Sequence, residues 1–227
     1  MKNLLYLLPI LLLFTGCDPE NSVNIRSERI FQTLTIDYDA QTNVTFAKAK
    51  FSVENENGSS IRLTDGAEVT INSLNLNYWS IGENYYYTNI NGKQQELTFR
   101  YIDNDRERYT NSLYTTGVKE IAIPSDISGI NLNENITFTW NGEPIGTNET
   151  ITLIVTGGEG TTATFLFTAQ GQNNVFVSKN DLANILPGQG SLQITRTIRV
   201  PLFETTPVGG RGYIIYRSPS RSVVYTK

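Results

Sequence analysis

Short segments in which apolar and polar residues alternate recur along most of the chain. In VTFAKAKFSV, Ala47, Ala49 and Phe51 alternate with Lys48 and Lys50. Because successive side chains of a β-strand point to opposite faces, this period of two predicts a strand with one buried face. No segment beyond the N-terminal apolar run sustains a helical period, and Thr, Asn, Ser, Gly, Tyr and Ile are abundant. The sequence therefore predicts an all-β fold.

The spacing of the strand segments indicates how they are arranged. They recur every 8–12 residues with polar turns between them, as in antiparallel β-sandwiches. A linker is predicted around residues 115–130, which divides the chain into an N-terminal sandwich, 23–120, and a C-terminal sandwich, 121–227. One continuous sandwich is the alternative.

Two local reversals are predicted from turn residues. Asn91-Gly92 suits a type I′ hairpin, and a second reversal at residues 103–105 extends it into a three-stranded meander over residues 84–114. Near the end of the chain, RGYIIYRS and RSVVYTK predict a hairpin that turns at Pro219.

The N-terminal segment predicts where the protein is located. Lys2 precedes an apolar run over residues 4–14, which is shorter than the about 20 residues that span a bilayer and suits a signal peptide, residues 1–16. Phe14-Thr15-Gly16-Cys17 resembles the bacterial lipobox, which implies cleavage before Cys17 and acylation of its thiol by chains such as palmitate. Cys17 is the only cysteine, so it has no disulfide partner within the chain. Residues 17–22 are then the lipidated cysteine and its tether to the membrane.

Three segments carry a wider resemblance. ITFTWNGEPIG, residues 182–198 and GGRGYIIY are similar to uncharacterised Bacteroidota lipoproteins with immunoglobulin-like domains, and Trp140 occupies the position of a sandwich core tryptophan. The acidic residues after Cys17 resemble surface-export signals of such lipoproteins. The resemblance implies an outer-membrane lipoprotein of the cell envelope, either surface-exposed or facing the periplasm.

The side chains that most enzymes need are missing from the sequence. There is no histidine, which removes imidazole bases, the usual catalytic triads and imidazole metal ligands. No phosphate-binding or nucleophile-elbow motif is present, and the net charge of −4 does not favour nucleic acid. We therefore predict a protein that is not an enzyme, with no cofactor, no metal and no nucleic-acid partner.

Two alternatives depend on carboxylates alone. A glycosidase needs one pair of acids, and Asp37 with Asp39 or Glu54 with Glu56 has the spacing that places two acids on one strand face. Such pairs are also common on solvated β-surfaces. The segment DNDRE at residues 103–107 offers oxygen ligands for Ca²⁺ but also suits a polar turn, which we favour because two arginines adjoin it.

Two surfaces are candidates for binding. The predicted meander and its flank are rich in aromatic residues, of which Trp79 and Tyr86 are the candidates for exposed rings that bind a ligand. The last thirty residues are basic, and Arg199, Arg217 and Arg221 are the candidates for a patch that binds anionic groups. Arg196 falls on the apolar face of its strand, so we expect it to be buried and paired with a carboxylate.

These observations favour a lipid-anchored cell-envelope protein that binds a polysaccharide or an envelope protein. The alternatives are a structural or accessory subunit of an envelope assembly and, less favoured, a glycoside-active enzyme that works with carboxylates alone. The chemical identity of the partner does not follow from the sequence.

Overall fold

The computed structural model describes residues 18–81 and 83–227. The predicted signal peptide and Cys17 lie outside the described residues. The described chain is nearly all β, as predicted, and its only helices are four short 3₁₀ helices, Ser22–Asn24, Ser27–Arg29, Thr115–Gly117 and Lys179–Leu182. The strands are Glu20–Asn21 (β1), Ile30–Asp39 (β2), Val44–Val53 (β3), Ile61–Arg62 (β4), Glu68–Ile71 (β5), Leu74–Asn75 (β6), Asn77–Trp79 (β7), Tyr85–Asn91 (β8), Glu96–Ile102 (β9), Arg108–Tyr114 (β10), Ile121–Ala122 (β11), Gly129–Asn131 (β12), Ile136–Thr139 (β13), Asn141–Gly142 (β14), Glu149–Gly158 (β15), Thr162–Phe167 (β16), Asn174–Val177 (β17), Leu186–Pro201 (β18), Gly210–Arg217 (β19) and Arg221–Thr226 (β20).

A ten-stranded main sheet is built around β18. Strand β15 pairs along one edge of β18, and β19 and β20 pair with successive stretches of the other edge. Beyond β19 the order continues β2, β3, β8, β7, with β2 parallel to β19, whereas β12 lies parallel to β20. The sheet therefore forks beside β18.

A second sheet of four strands, in the order β10, β9, β5, β6, packs against one face of the main sheet. The contact is visible at Phe51 of β3, whose ring centroid lies 4.6 Å from that of Tyr101 of β9. On this face, Leu34 and Ile36 of β2 are buried, as the period of two predicts. We call this the inner face of the main sheet and its opposite side the outer face.

The meander predicted over residues 84–114 is wrong at its first turn. Strand β8 pairs with β3 and β7 in the main sheet, whereas β9 pairs with β5 and β10 in the four-stranded sheet. Gly92 has a φ of +80° but Asn91 does not have a positive φ, and the Gly92 N–H donates to the Asn43 carbonyl at 2.8 Å. Asn91-Gly92 therefore starts a crossing between sheets, while the second reversal, between β9 and β10, is confirmed.

The hairpin predicted at Pro219 is also wrong. Both β19 and β20 run antiparallel to β18, with Arg217 opposite Thr195 and Arg221 opposite Leu192. The chain thus continues in one direction past Pro219, with one extra residue on this side, which is a bulge. The buried Ser218 hydroxyl accepts the Ile194 N–H at 3.2 Å and so takes the place of a backbone acceptor.

The C-terminal part of the core contains two predicted features. Trp140 is 2% exposed, and its indole N–H donates to the Glu143 carbonyl at 3.1 Å. Arg196 is fully buried, and its Nη1 lies 2.5 Å from Oε2 of Glu149, as expected for an arginine on an apolar face. The small sheets β11–β14 and β13–β17 complete this part of the fold.

The main sheet takes strands from both sides of residue 120, because β19 pairs with β2 over eight residues. The division into domains 23–120 and 121–227 stays a prediction.

Candidate ligand-binding face

The outer face of the main sheet brings together polar, aromatic and cationic side chains from six neighbouring strands. Pairing between adjacent strands aligns them in one row, which runs across the sheet from β18 to β7 and consists of Arg199, Tyr213, Thr35, Lys48, Tyr87 and Asn77. We call this set the transverse row. Adjacent strands lie about 4.8 Å apart, so the row is about 24 Å long.

An aromatic cluster lies at the β7–β8 end of this face. Trp79 and Tyr85 are register partners whose rings are stacked, with centroids 6.4 Å apart and an interplanar angle of 21°. Tyr87 meets Trp79 edge-on at 6.2 Å and Tyr85 at 5.9 Å. Trp79 is 39% exposed, and its indole N–H donates to the Ile81 carbonyl at 2.8 Å, which fixes the ring. We call Trp79, Tyr85 and Tyr87 the aromatic cluster.

A cation adjoins the aromatic cluster. The Lys48 Nζ lies 5.7 Å from the centroid of the Tyr85 ring, within the range of a cation–π contact. Burial raises the pKa of Tyr85, and the nearby Glu83 carboxylate raises it further. In its neutral form the Tyr85 hydroxyl both donates and accepts hydrogen bonds.

Tyr86, the second aromatic candidate from the sequence, lies on the inner face. Its ring packs edge-on against Phe51 at 6.0 Å and tilted against Tyr78 at 5.1 Å. Its hydroxyl accepts the Leu63 N–H at 2.8 Å, and burial raises its pKa to about 12. The structure thus gives Tyr86 a packing role between the sheets, and a ligand contact for it stays a prediction.

Arg217 lies on the outer face and is engaged by a carboxylate. Its Nε and Nη2 donate to the two oxygens of Asp37 at 2.7 and 2.8 Å, a bidentate pair that raises the pKa of Arg217. Lys48 Nζ lies 3.8 Å from the same carboxylate. Asp37 is 2% exposed, so it serves as a fixed counterion beneath the transverse row.

Arg199 occupies the other end of the transverse row, beside a cleft that it lines with Asn148, Pro201 and Arg211. Its side chain is exposed, and no carboxylate in the described part of the chain lies within 4.0 Å of its guanidinium. Arg211, in contrast, donates from Nη1 to Glu56 at 2.9 Å, and the Tyr213 hydroxyl donates to the same carboxylate at 2.7 Å.

Arg221 does not join the other two predicted arginines. Because of the bulge at Ser218, its register partner is the buried Leu192, which places it on the opposite face of the sheet from Arg217. Its guanidinium donates to the carbonyl oxygens of Ile127, at 3.0 Å, and Ser125. The expectation of one basic patch formed by Arg199, Arg217 and Arg221 is therefore wrong, since Arg221 holds the loop before β12.

The other predicted sites are occupied by local contacts. Asp39 accepts the Gln41 N–H at 2.8 Å in a turn, and Glu54 pairs with Arg29 at 2.7 Å. Oδ1 of Asp103 accepts two backbone N–H groups at 2.9 Å, those of residues 105 and 107, in the manner of a polar turn. Within residues 18–81 and 83–227, no three His, Cys, Asp or Glu side chains are grouped to hold a metal ion.

No helix in the described residues has the length and apolar character that crossing a bilayer requires.

Comparisons with known proteins give little further information. No family model matches the sequence, and no curated protein matches it. Among solved structures, one similar chain is a tetra-tandem repeat from the extending region of a large adhesion protein. It is 12% identical, with a TM-score of 0.28 over 86% of this chain and 49% of that one, so this chain spans about half its length. At that TM-score the similarity carries no argument about fold or function.

Proposed function

We propose that this protein is a lipid-anchored, non-enzymatic component of a bacterial cell envelope that binds a glycan through the outer face of its main sheet. The observation that carries the proposal is the aromatic cluster, in which Trp79, 39% exposed, packs against Tyr85 and Tyr87 on the outer face of two paired strands.

The chemistry of the cluster suits sugars. A pyranose ring has an apolar face of C–H groups that packs on an aromatic ring, and hydroxyl groups around its rim that need hydrogen-bond partners. Tyr85 and Tyr87 supply hydroxyl groups beside the ring of Trp79. Because these side chains are already packed against one another, little conformational entropy is lost when a ligand binds.

The cellular setting is part of the proposal and is supported by the sequence. Cys17 is lipidated after removal of residues 1–16 and holds the protein at the outer membrane through the tether 17–22. The proposal includes two immunoglobulin-like sandwiches, as in the Bacteroidota lipoproteins that the sequence resembles, and the pairing of β19 with β2 would join them through one main sheet. Metabolic labelling with palmitate tests the anchor: the label is expected in the native protein and not in Cys17→Ser, and equal labelling of both overturns it.

A glycan-array screen with three forms of the protein tests the binding function. The native protein is expected to bind at least one glycan class, and Trp79→Ala is expected to lose that signal. Tyr114→Ala is the matched control, because Tyr114 is an exposed aromatic residue on β10 of the other sheet. Absence of binding to any glycan, or equal loss in both variants, overturns the proposal.

A second candidate function, docking in an envelope assembly, is favoured by Phe203. This side chain is 94% exposed, yet its backbone is fixed, because Asn111 Oδ1 accepts the N–H groups of Phe203 and Glu204 at 2.8 and 3.0 Å. An exposed phenylalanine on a fixed backbone suits an apolar pocket on a protein partner. A photo-crosslinking residue at position 203 is expected to capture one stoichiometric envelope protein on intact cells. The control position is Phe176, an exposed phenylalanine on β17, and equal capture from both positions contradicts this function.

A further inference from the structure

We infer that the glycan is an acidic polysaccharide, carboxylated or sulfated, which lies along the transverse row across the strands. This inference rests on the proposed function, since it names the class of ligand that the outer face binds. It assigns the anionic groups of the polymer to Arg199 and to Lys48 with Lys50, and its sugar faces to the aromatic cluster.

The transverse row contains two cations at a fixed spacing. Arg199 and Lys48 lie three strand spacings apart, which corresponds to about 14 Å. Tyr87 follows Lys48 on the next strand, with Tyr85 and Trp79 beside it. A linear ligand perpendicular to the strands therefore meets a cation, two hydroxyl groups, a second cation and then aromatic rings, in that order.

Three carboxylates near the outer face already have partners, because Asp37 binds Arg217, Glu56 binds Arg211, and Asp39 caps a turn. A fourth carboxylate, that of Glu83, lies beside Tyr85 at the aromatic end of the row. Arg199 and Lys50, in contrast, have no carboxylate within 4.0 Å in the part of the chain that the structure describes.

Lys48 shares Asp37 with Arg217, at a distance of 3.8 Å, so its charge is only partly compensated. A protein whose net charge is −4 thus keeps on one face two cations, Arg199 and Lys50, without a carboxylate partner in the described chain, and a third, Lys48, whose partner is shared. An anionic ligand would supply those counterions, and guanidinium and ammonium groups both bind carboxylate and sulfate oxygens.

The outer face combines charged and aromatic sites, which favours a polymer over a single anion. A phosphate or one lipid headgroup would occupy Arg199 or the lysines but would leave the aromatic cluster without a ligand. A polysaccharide that repeats sugar rings and acidic groups can contact both the cations and the aromatic cluster along the transverse row, and it gains affinity from each contact.

The test measures binding of the purified full-length protein to four polymers by affinity electrophoresis. Polygalacturonate is compared with its methyl ester, which has the same backbone without the charges, and chondroitin sulfate is compared with unsulfated, carboxyl-reduced chondroitin. Arg199→Gln and Lys50→Gln are the test variants. Arg108→Gln is the matched control, because Arg108 is exposed on β10 in the other sheet.

We expect at least one acidic polymer to bind and its neutral counterpart to bind at least tenfold more weakly. Each test variant is expected to weaken binding by about fivefold, the effect of losing one exposed charge contact of about 1 kcal/mol. Binding is also expected to fall between 0.1 and 1 M salt, where the screening length shortens from about 10 to 3 Å.

Two contrary results have different meanings. If neutral and acidic forms bind equally and Arg199→Gln has no effect, the inference is overturned while the proposed glycan-binding function stands. If no polymer binds, and the glycan array is also negative, the proposed function fails and the inference fails with it.

Discussion

Replacement of Glu149 with glutamine is expected to destabilise the protein, because it leaves the buried guanidinium of Arg196 without its carboxylate. Arg196 is fully buried, and its Nη1 lies 2.5 Å from Oε2 of Glu149. The same nitrogen donates to the Pro144 carbonyl at 3.3 Å, and Nη2 donates to the Glu143 carbonyl. The substitution therefore removes the opposite charge but leaves two hydrogen bonds in place.

Loss of one partner from a buried ion pair costs about 3–5 kcal/mol, and the remaining carbonyl contacts place this variant near the lower value, about 3 kcal/mol. Urea denaturation measures this loss of stability. If the free energy of unfolding falls by about 2–3 kcal/mol per molar urea, the unfolding midpoint of the variant should be lower by about 1 M. Glu143→Gln is the matched control, because the Glu143 carboxylate is exposed and forms an ion pair with the exposed Lys119, so the midpoint of this variant should stay unchanged.

A double variant completes this test. Arg196→Met with Glu149→Leu removes both charges, so most of the lost stability should return, to within about 1 kcal/mol of the native protein. The reasoning is refuted if Glu149→Gln unfolds at the native midpoint, or if the double variant is no more stable than the single one.

Three further perturbations test other parts of the fold. Burial raises the pKa of Tyr86 to about 12, whereas an unfolded tyrosine ionises near pH 10, so the stability that neutral Tyr86 contributes is complete below pH 10 and is lost between pH 10 and 12. The urea midpoint should therefore fall less steeply with pH in Tyr86→Phe than in the native protein. An equal pH dependence in both proteins contradicts the raised pKa. Ser218→Ala removes the acceptor of the buried Ile194 N–H, so it should cost about 1–3 kcal/mol by urea denaturation, and a neutral effect would show that the bulge does not need the hydroxyl. In Gly190→Ala the new Cβ would lie 2.1 Å from the backbone oxygen of Thr156, so the melting temperature should fall by several degrees. Gly117→Ala is the control and should melt like the native protein, because its new Cβ meets no atom within 4 Å.

The period of two predicted which side chains of the long strands lie on the inner face. Ile36 and Phe51 are buried there as expected, and Arg196, an arginine at an apolar position, is buried and paired as expected. The period did not predict that Asp37, on the outer face of β2, is also buried. These predictions succeed because the face that a residue occupies depends only on its place within its own strand.

Strand partners could not be predicted in the same way. Asn91-Gly92 has the composition of a hairpin turn, but β8 pairs with β3, about forty residues earlier, and β9 joins another sheet. Pro219 likewise interrupts a ladder without reversing the chain, because β18 is long enough to pair with both β19 and β20. Local turn chemistry does not contain this information, since it is set by contacts distant in sequence.

The candidate site was also predicted only in part. The sequence indicated an aromatic surface that includes Trp79. The cluster itself depends on the β7–β8 register, which places Tyr85 opposite Trp79 and Tyr86 on the inner face. Alternation alone did signal that Tyr85 and Tyr87 share one face opposite Tyr86. The separation of Arg221 from Arg217 depends on a single bulge residue, for which the sequence offers no sign beyond Pro219 itself.

Acrylamide quenching of tryptophan fluorescence tests the proposed binding face most directly. The chain has two tryptophans, and Trp140 is 2% exposed whereas Trp79 is 39% exposed, so quenching reports on Trp79. At a saturating concentration of a glycan that binds, we expect quenching of the native protein to fall to the level of Trp79→Phe, in which Trp140 alone emits. If a bound glycan leaves the quenching of Trp79 unchanged, the ligand lies elsewhere and the proposed binding face is wrong.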